Sequence, residues 1–144
     1  MNKNYTEIIK KNQVKPRYLR NSIVAFVTGG LIGVVGQGLS DLYRYVFHLD
    51  KNNANSLMTV TLILITAITT GLGIYDTYGQ FAGAGAFIPV TGFANSMTSA
   101  ALESRSEGVT LGIAANMFKL AGSVIVFGVV SAFVLGAIRY LFFH

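Results

Sequence analysis

From Phe81 to Leu102 no residue is charged, so the run can sit at bilayer depth. Yet it holds Pro89, Thr91, Gly92, Asn95, Ser96, Thr98 and Ser99. It is too apolar for a surface loop and too rich in Gly and hydroxyl residues for a plain membrane anchor. Backbone of this kind survives inside a membrane only where protein or a water-filled cavity covers it. The stretch is therefore read as the working element, with flanking helices that hold it.

The rest of the chain supports a membrane setting. Uncharged runs of membrane length recur, 52% of the 144 residues are apolar and only 12% are charged, about half the share in soluble domains. Mean hydropathy is +0.54. The expected fold is an all-α, polytopic integral membrane protein. It has about four transmembrane helices, with one discontinuous or re-entrant element around 81–102. Residues 1–20 form a basic segment and residues 21–144 a single helical membrane domain.

Charge sets the orientation. Lys3, Lys10, Lys11, Lys15, Arg17 and Arg20 face Glu7 alone in residues 1–20, which therefore carry the whole formal +5 of the chain. A basic tail can mean nucleic acid, but beside a first membrane helix it reads as the positive-inside signal, which puts the N-terminus in the cytoplasm. The first apolar run is too long for a signal-peptide core, so it is read as a retained signal-anchor. Pro16 should end any short interfacial helix near Lys15.

Ser22 to Leu39 reads as the first span. Gly29, Gly33, Gly36 and Ser40 share one face, a small-residue stripe that lets helices approach closely. Residues 41–56 read as a connection on the far side, with Ser56 as a helix N-cap. Leu57 to Tyr75 reads as the second span, where Thr59, Thr66 and Thr70 share a face with Gly73. A helix over 89–102, with Pro89 at its first position, places Thr91, Asn95, Thr98 and Ser99 on one side. The plainer reading is that these groups bond to neighbouring helices. The reading preferred here is that they line a polar path, as half-helices do in transporters. Val109 to Phe143 is too long for one span and should break near Ala121-Gly122. Before that point Asn116, Lys119 and Ser123 align, and Lys119 can draw anions to the path. Beyond it Gly128, Ala132 and Gly136 form a second packing stripe.

Catalysis finds little support. There is no cysteine. Tyr75-Asp76 matches half of an intramembrane aspartyl protease, but no span supplies a second aspartate. Gly83-Ala84-Gly85 has Ile88 where a dinucleotide fingerprint needs its last Gly. His48 stands alone and reads as an interfacial histidine. No catalytic residue, metal site or cofactor is expected.

Two blocks carry a resemblance. Phe81-Ala82-Gly83-Ala84-Gly85-Ala86, followed by Pro89-Val90-Thr91-Gly92-Phe93-Ala94-Asn95-Ser96, is similar to the stage V sporulation protein AC family of spore-forming Firmicutes. Gly29-Gly30-Leu31-Ile32-Gly33 with Gly36-Gln37, and Phe118 through Gly122, extend the likeness over nearly the whole chain. The sibling stage V sporulation protein AE family shares the Gly-Ala-Gly-Ala core but differs around Thr91 to Ser96. Ser123 departs from the family pattern, where proline is expected.

The resemblance implies a non-enzymatic channel or transport subunit in the inner membrane of the forespore and spore. It implies movement of dipicolinic acid, as its calcium chelate, during sporulation and germination. Implied partners are sibling membrane subunits, a soluble sibling subunit and the lipid bilayer. Further copies of the chain are compatible with it, and nucleic acid is not expected. A non-conducting membrane scaffold in the same complex remains the alternative, since packing alone explains the glycine stripes.

Overall fold

The structure is a computed structural model describing residues 17–143, and all the regular structure among them is helical. The basic segment before Arg17 lies outside the described residues, and so do the expected interfacial helix and its end at Pro16. Helix α1 (Tyr18–Phe47) has 30 residues, about 45 Å of helix. It overshoots the expected Ser22–Leu39 span at both ends. Asp41 does not stop it, because the charge is accommodated on the helix surface. Gln37 donates to both Asp41 carboxylate oxygens at 3.0 Å, and Arg44 lies 3.7 Å away. His48, in the left-handed region at φ 51, ends the helix.

Helix α2 (Lys51–Gly71) begins after three residues. Asp50 caps it, accepting from the Asn52 N–H at 3.2 Å and from the Asn53 side-chain amide. This corrects the long connection over 41–56 and the Ser56 cap. Ser56 donates to the Asn52 carbonyl inside the helix. The Asn-rich run reads as a turn because Asn competes for backbone groups. Here Asp50 holds Asn52 and Asn53, while Asn55 accepts from the Ser40 hydroxyl of α1 at 2.7 Å.

The two long helices pack antiparallel. Gly36 faces Met58 and Leu62, Ser40 bonds Asn55, and Tyr43 bonds Thr61 at 2.8 Å. Three members of the expected stripe thus meet protein, since Gly29 faces the backbone of Gly85. Gly33 does not: it is exposed, and a Cβ there meets nothing within 4 Å. Three residues turn the helix by about 60° short of a full circle, enough to carry Gly33 off the contact that Gly36 makes. Thr66 and Thr70 are buried, as their stripe leads one to expect, and each bonds back to its own helix.

The middle of the chain is broken, and the break starts earlier than expected. Gly73, at φ 75, ends the second helix before Tyr75. Two short helices follow, α3 (Ile74–Ala82) and α4 (Ala84–Phe87), joined at Gly83 with φ 54 and ψ −129. Tyr75 donates to the Ala86 carbonyl at 2.8 Å and ties one to the other. Tyr75, Ala82 and Ala86 form a small buried core. Gly85 rests on α1 so closely that a Cβ would collide with the Thr28 hydroxyl and the Ala25 carbonyl.

Helix α5 (Val90–Glu103) follows, with Pro89 at the cap position, one residue before the place expected for it. Gly92 sits against the Phe87 carbonyl, where any side chain would collide. At 14 residues, α5 measures about 21 Å and alone falls short of a hydrocarbon core of about 30 Å. The 3-10 turn Ser104–Glu107 extends it.

After Gly108 a π-helical turn, Val109–Ala114, leads into α6 (Ala115–Phe143). The expected break at Ala121-Gly122 is absent. Without a proline the backbone ladder continues, and Ser123 merely bonds back to the Leu120 carbonyl at 2.8 Å. The irregularity lies at the start of the segment instead. Three segments are long and apolar enough to cross a membrane: Tyr18–Phe47, Lys51–Gly71 and Val109–Phe142. From Ser123 to Phe142 the last helix is exposed, apart from a half-buried Ala137. The expected stripe of Gly128, Ala132 and Gly136 therefore has no partner helix among the described residues.

Two outcomes test this arrangement. Gly85→Ala should destabilise the purified protein by about 1–3 kcal/mol through overpacking, read as a lower melting temperature in detergent, while Gly33→Ala should leave it unchanged. The chain lacks cysteine, so single probes are clean. Asn53→Cys and Ser106→Cys should label from one side of the membrane and Thr77→Cys from the other. Labelling of Ser106→Cys from the same side as Thr77→Cys would make the 81–102 element re-entrant.

Candidate functional site

Two polar regions survive folding in this apolar chain. The first is the seam between α2 and α5. Thr66, Thr70, Thr91 and Asn95 are all buried there, at 2%, 5%, 4% and 5% exposure. The Thr70 hydroxyl lies 2.7 Å from the Thr66 carbonyl and 2.8 Å from the Asn95 side-chain amide. A hydroxyl carries one hydrogen, and a carbonyl can only accept. The Thr70 hydroxyl hydrogen is therefore shared between two acceptors, the Thr66 carbonyl and the Asn95 Oδ1. The result is a compact buried polar cluster of Thr66, Thr70 and Asn95. It joins two helices where the bilayer offers no competing partner.

One turn toward the start of α5, the Thr91 hydroxyl is buried with no partner at good hydrogen-bond geometry. The Tyr75 phenol stands beside it, and while its hydrogen is directed to Ala86 its oxygen is free to accept from Thr91. Thr91 and Tyr75 open onto a cavity of about 460 Å³ between α1 and α2, whose remaining wall is mostly apolar.

The second region is a recess of about 770 Å³ between the end of α5 and the first turns of α6. Ala100, Glu103, Ser104, Glu107, Asn116, Lys119, Leu120 and Ser123 line it. Ser104 donates to the Ala100 carbonyl at 2.8 Å and accepts from the Asn116 amide at 2.7 Å, which pins the two helices together. Gly112 is required beneath this joint, because a Cβ would strike the Ser104 carbonyl.

The expected path residues therefore part company. Thr91 and Asn95 lie in the buried seam, and Thr98 and Ser99 are half-buried on the same helix. Lys119 is exposed and lines the other recess. Asn95 is occupied by Thr70, so the plainer reading of a packing group describes this conformation. In the sequence Glu103, Ser104 and Glu107 stand with Arg105 in a compact charged turn. Their spacing of one helical turn was legible, but the approach of Asn116 and Lys119 was not. Among the described residues no cluster of three His, Cys, Asp or Glu side chains is placed to hold a metal ion.

Comparison with known proteins bears on identity. A family model described as SpoVAC/SpoVAEB sporulation membrane protein matches residues 21–138. The chain is 57% identical over 139 residues to a Bacillus subtilis (strain 168) protein named Stage V sporulation protein AC, covering 96% of this chain and 93% of that one. No solved structure matches. The long apolar helices, the broken Gly-rich element between them and a family match over most of the chain agree. This chain belongs to the SpoVAC/SpoVAEB family of sporulation membrane proteins.

Proposed function

We propose that the chain is a membrane subunit of a complex that moves dipicolinic acid, as its calcium chelate, across the inner membrane of the forespore and spore. Sibling membrane subunits and a soluble sibling subunit complete the complex, and the N-terminus faces the cytoplasm. The observation that carries this reading is the buried cluster in which the Thr70 hydroxyl meets both the Thr66 carbonyl and the Asn95 Oδ1. It is a polar line between two helices of an otherwise apolar body, beside an element broken at Gly73, Gly83 and Pro89. Short helices around a polar seam are the construction by which transporters offer sites at membrane depth. In this conformation the seam is closed, and conduction requires α5 to part from α2.

A scaffold without conduction is the second reading. It is favoured by the occupied Asn95 and by the exposed second half of α6, a bare surface for siblings. Dipicolinate release from vesicles holding the purified chain, alone and with its siblings, separates the two. Asn95→Leu should slow release, because solute then meets leucine in place of an amide once the seam has opened. Pull-down of siblings should stay intact, and Met97→Leu should behave as wild type. Normal release from the Asn95→Leu protein would leave the scaffold reading standing.

A further inference from the structure

The cavity between α1 and α2 measures about 460 Å³, within the range of small-ligand pockets. Among the described residues no charged side chain lines it. Leu31 and Val35 of α1 and Ile65 of α2 belong to its wall and are about half exposed, at 58%, 55% and 48%. Both helices are long and apolar enough to cross a membrane, so the mouth faces hydrocarbon.

One polar atom in that wall lacks a donor. The Thr91 side chain is buried at 4% exposure, and its hydroxyl has no partner at good geometry. Its hydrogen can turn to the Tyr75 oxygen, since Tyr75 gives its own hydrogen to the Ala86 carbonyl at 2.8 Å. That leaves the lone pairs of the Thr91 oxygen unmatched. Thr66 and Thr69 line the same cavity but bond back to their own helix, at 2.8 Å to the Leu62 carbonyl and 2.9 Å to the Ile65 carbonyl. A buried acceptor without a partner carries a desolvation cost that a donor removes.

The chemistry that fits is a neutral donor on an apolar body. A bare alkyl chain fills the space and leaves Thr91 unmatched. A carboxylate brings no hydrogen, and an ammonium buries a charge with no counter-charge in the wall. A lone water needs about two to four polar partners and leaves the apolar wall uncovered. A hydroxyl on an aliphatic chain meets both demands.

We propose that this cavity binds a neutral single-chain lipid with a terminal hydroxyl, drawn from the surrounding bilayer. The hydroxyl donates to the Thr91 oxygen, and the chain lies between α1 and α2 along Leu31, Val35 and Ile65. Thr66 and Thr91 belong both to the cavity wall and to the α2–α5 seam, so an occupied cavity lies directly against that joint. Binding is read without flux, so the site stands or falls apart from transport.

The test uses the full-length chain in phosphatidylcholine nanodiscs, with a diazirine-bearing decanol as photoprobe and mass spectrometry to map its adducts. Adducts should fall on residues 31–35 and 62–69. Excess decanol should displace them at concentrations where decane and decanoate do not. That competition needs no variant, so it tests the hydroxyl even if a substitution fails to fold. Thr91→Val keeps the shape and removes the oxygen, and should cut these adducts roughly fivefold, the worth of one neutral hydrogen bond. Thr91→Ser should label as wild type. Val35→Trp, bulky at an exposed position, should exclude the probe while the size-exclusion profile stays that of the wild type. Met97→Leu should label normally.

Displacement by decane as readily as by decanol would overturn the proposal, since the cavity would then accept any lipid chain. So would equal labelling of the Thr91→Val and wild-type chains. Adducts confined to the exposed stretch 123–142 of α6 would overturn it as well.

Discussion

The fold depends on the seating of Gly85 against α1 between Ala25 and Gly29. Hydrocarbon surrounds the long helices, so burying another apolar side chain gains little over leaving it in lipid. Close approach of backbones and hydrogen bonds must hold the helices together instead. Gly85 supplies the first, with Gly29 facing it and the Thr28 hydroxyl lying over the contact. Removal of that fit would free α4, and with it the start of α5. Among the described residues no large side chain is fully buried, which follows from the same balance. Among the described residues the interior is mostly Ala, Gly, Ser and Thr, joined by Leu62, Tyr75 and Asn95, and most bulky residues face outward.

A broken element at membrane depth carries a second requirement. Each interruption frees backbone groups that lipid cannot satisfy. Here they find partners nearby. The Leu72 N–H donates to Ile68, the Gly83 N–H to Gly79, and the Ile88 N–H to Ala84. Tyr75 then takes the Ala86 carbonyl from the side. Gly73 and Gly83 adopt the positive φ angles that make the corners, which is costly for a residue with a Cβ. The chain can therefore turn twice between α2 and α5 without exposing bare backbone.

The two polar regions differ in kind. The α2–α5 seam is uncharged, buried and fully bonded apart from Thr91, so it resists opening until something competes for Asn95. The α5–α6 recess is charged and open, and its rigidity comes from the Ser104–Asn116 bond above Gly112. Glu103 and Asn95 are two turns apart on α5, so movement of that one helix links both.

Much was readable from residues alone. Uncharged runs and the basic N-terminal segment announce a helical membrane protein, because hydropathy and charge are local properties summed along the chain. Pro89 with the glycines before it announced a broken element, because φ preferences are local too. The threonine stripe of α2 followed from the helical repeat. Contacts between distant residues were not readable. Sequence spacing cannot say that Gly33 misses the packing face while Gly36 meets it, nor that Asn95 spends its amide on Thr70. Lys119 was placed beside Thr91 and Asn95 by proximity of function, whereas the π turn sends it to Glu103 and Glu107. One extra residue in a helical ladder rotates all that follows, and only the tertiary packing of Gly112 beneath Ser104 decides where that residue goes.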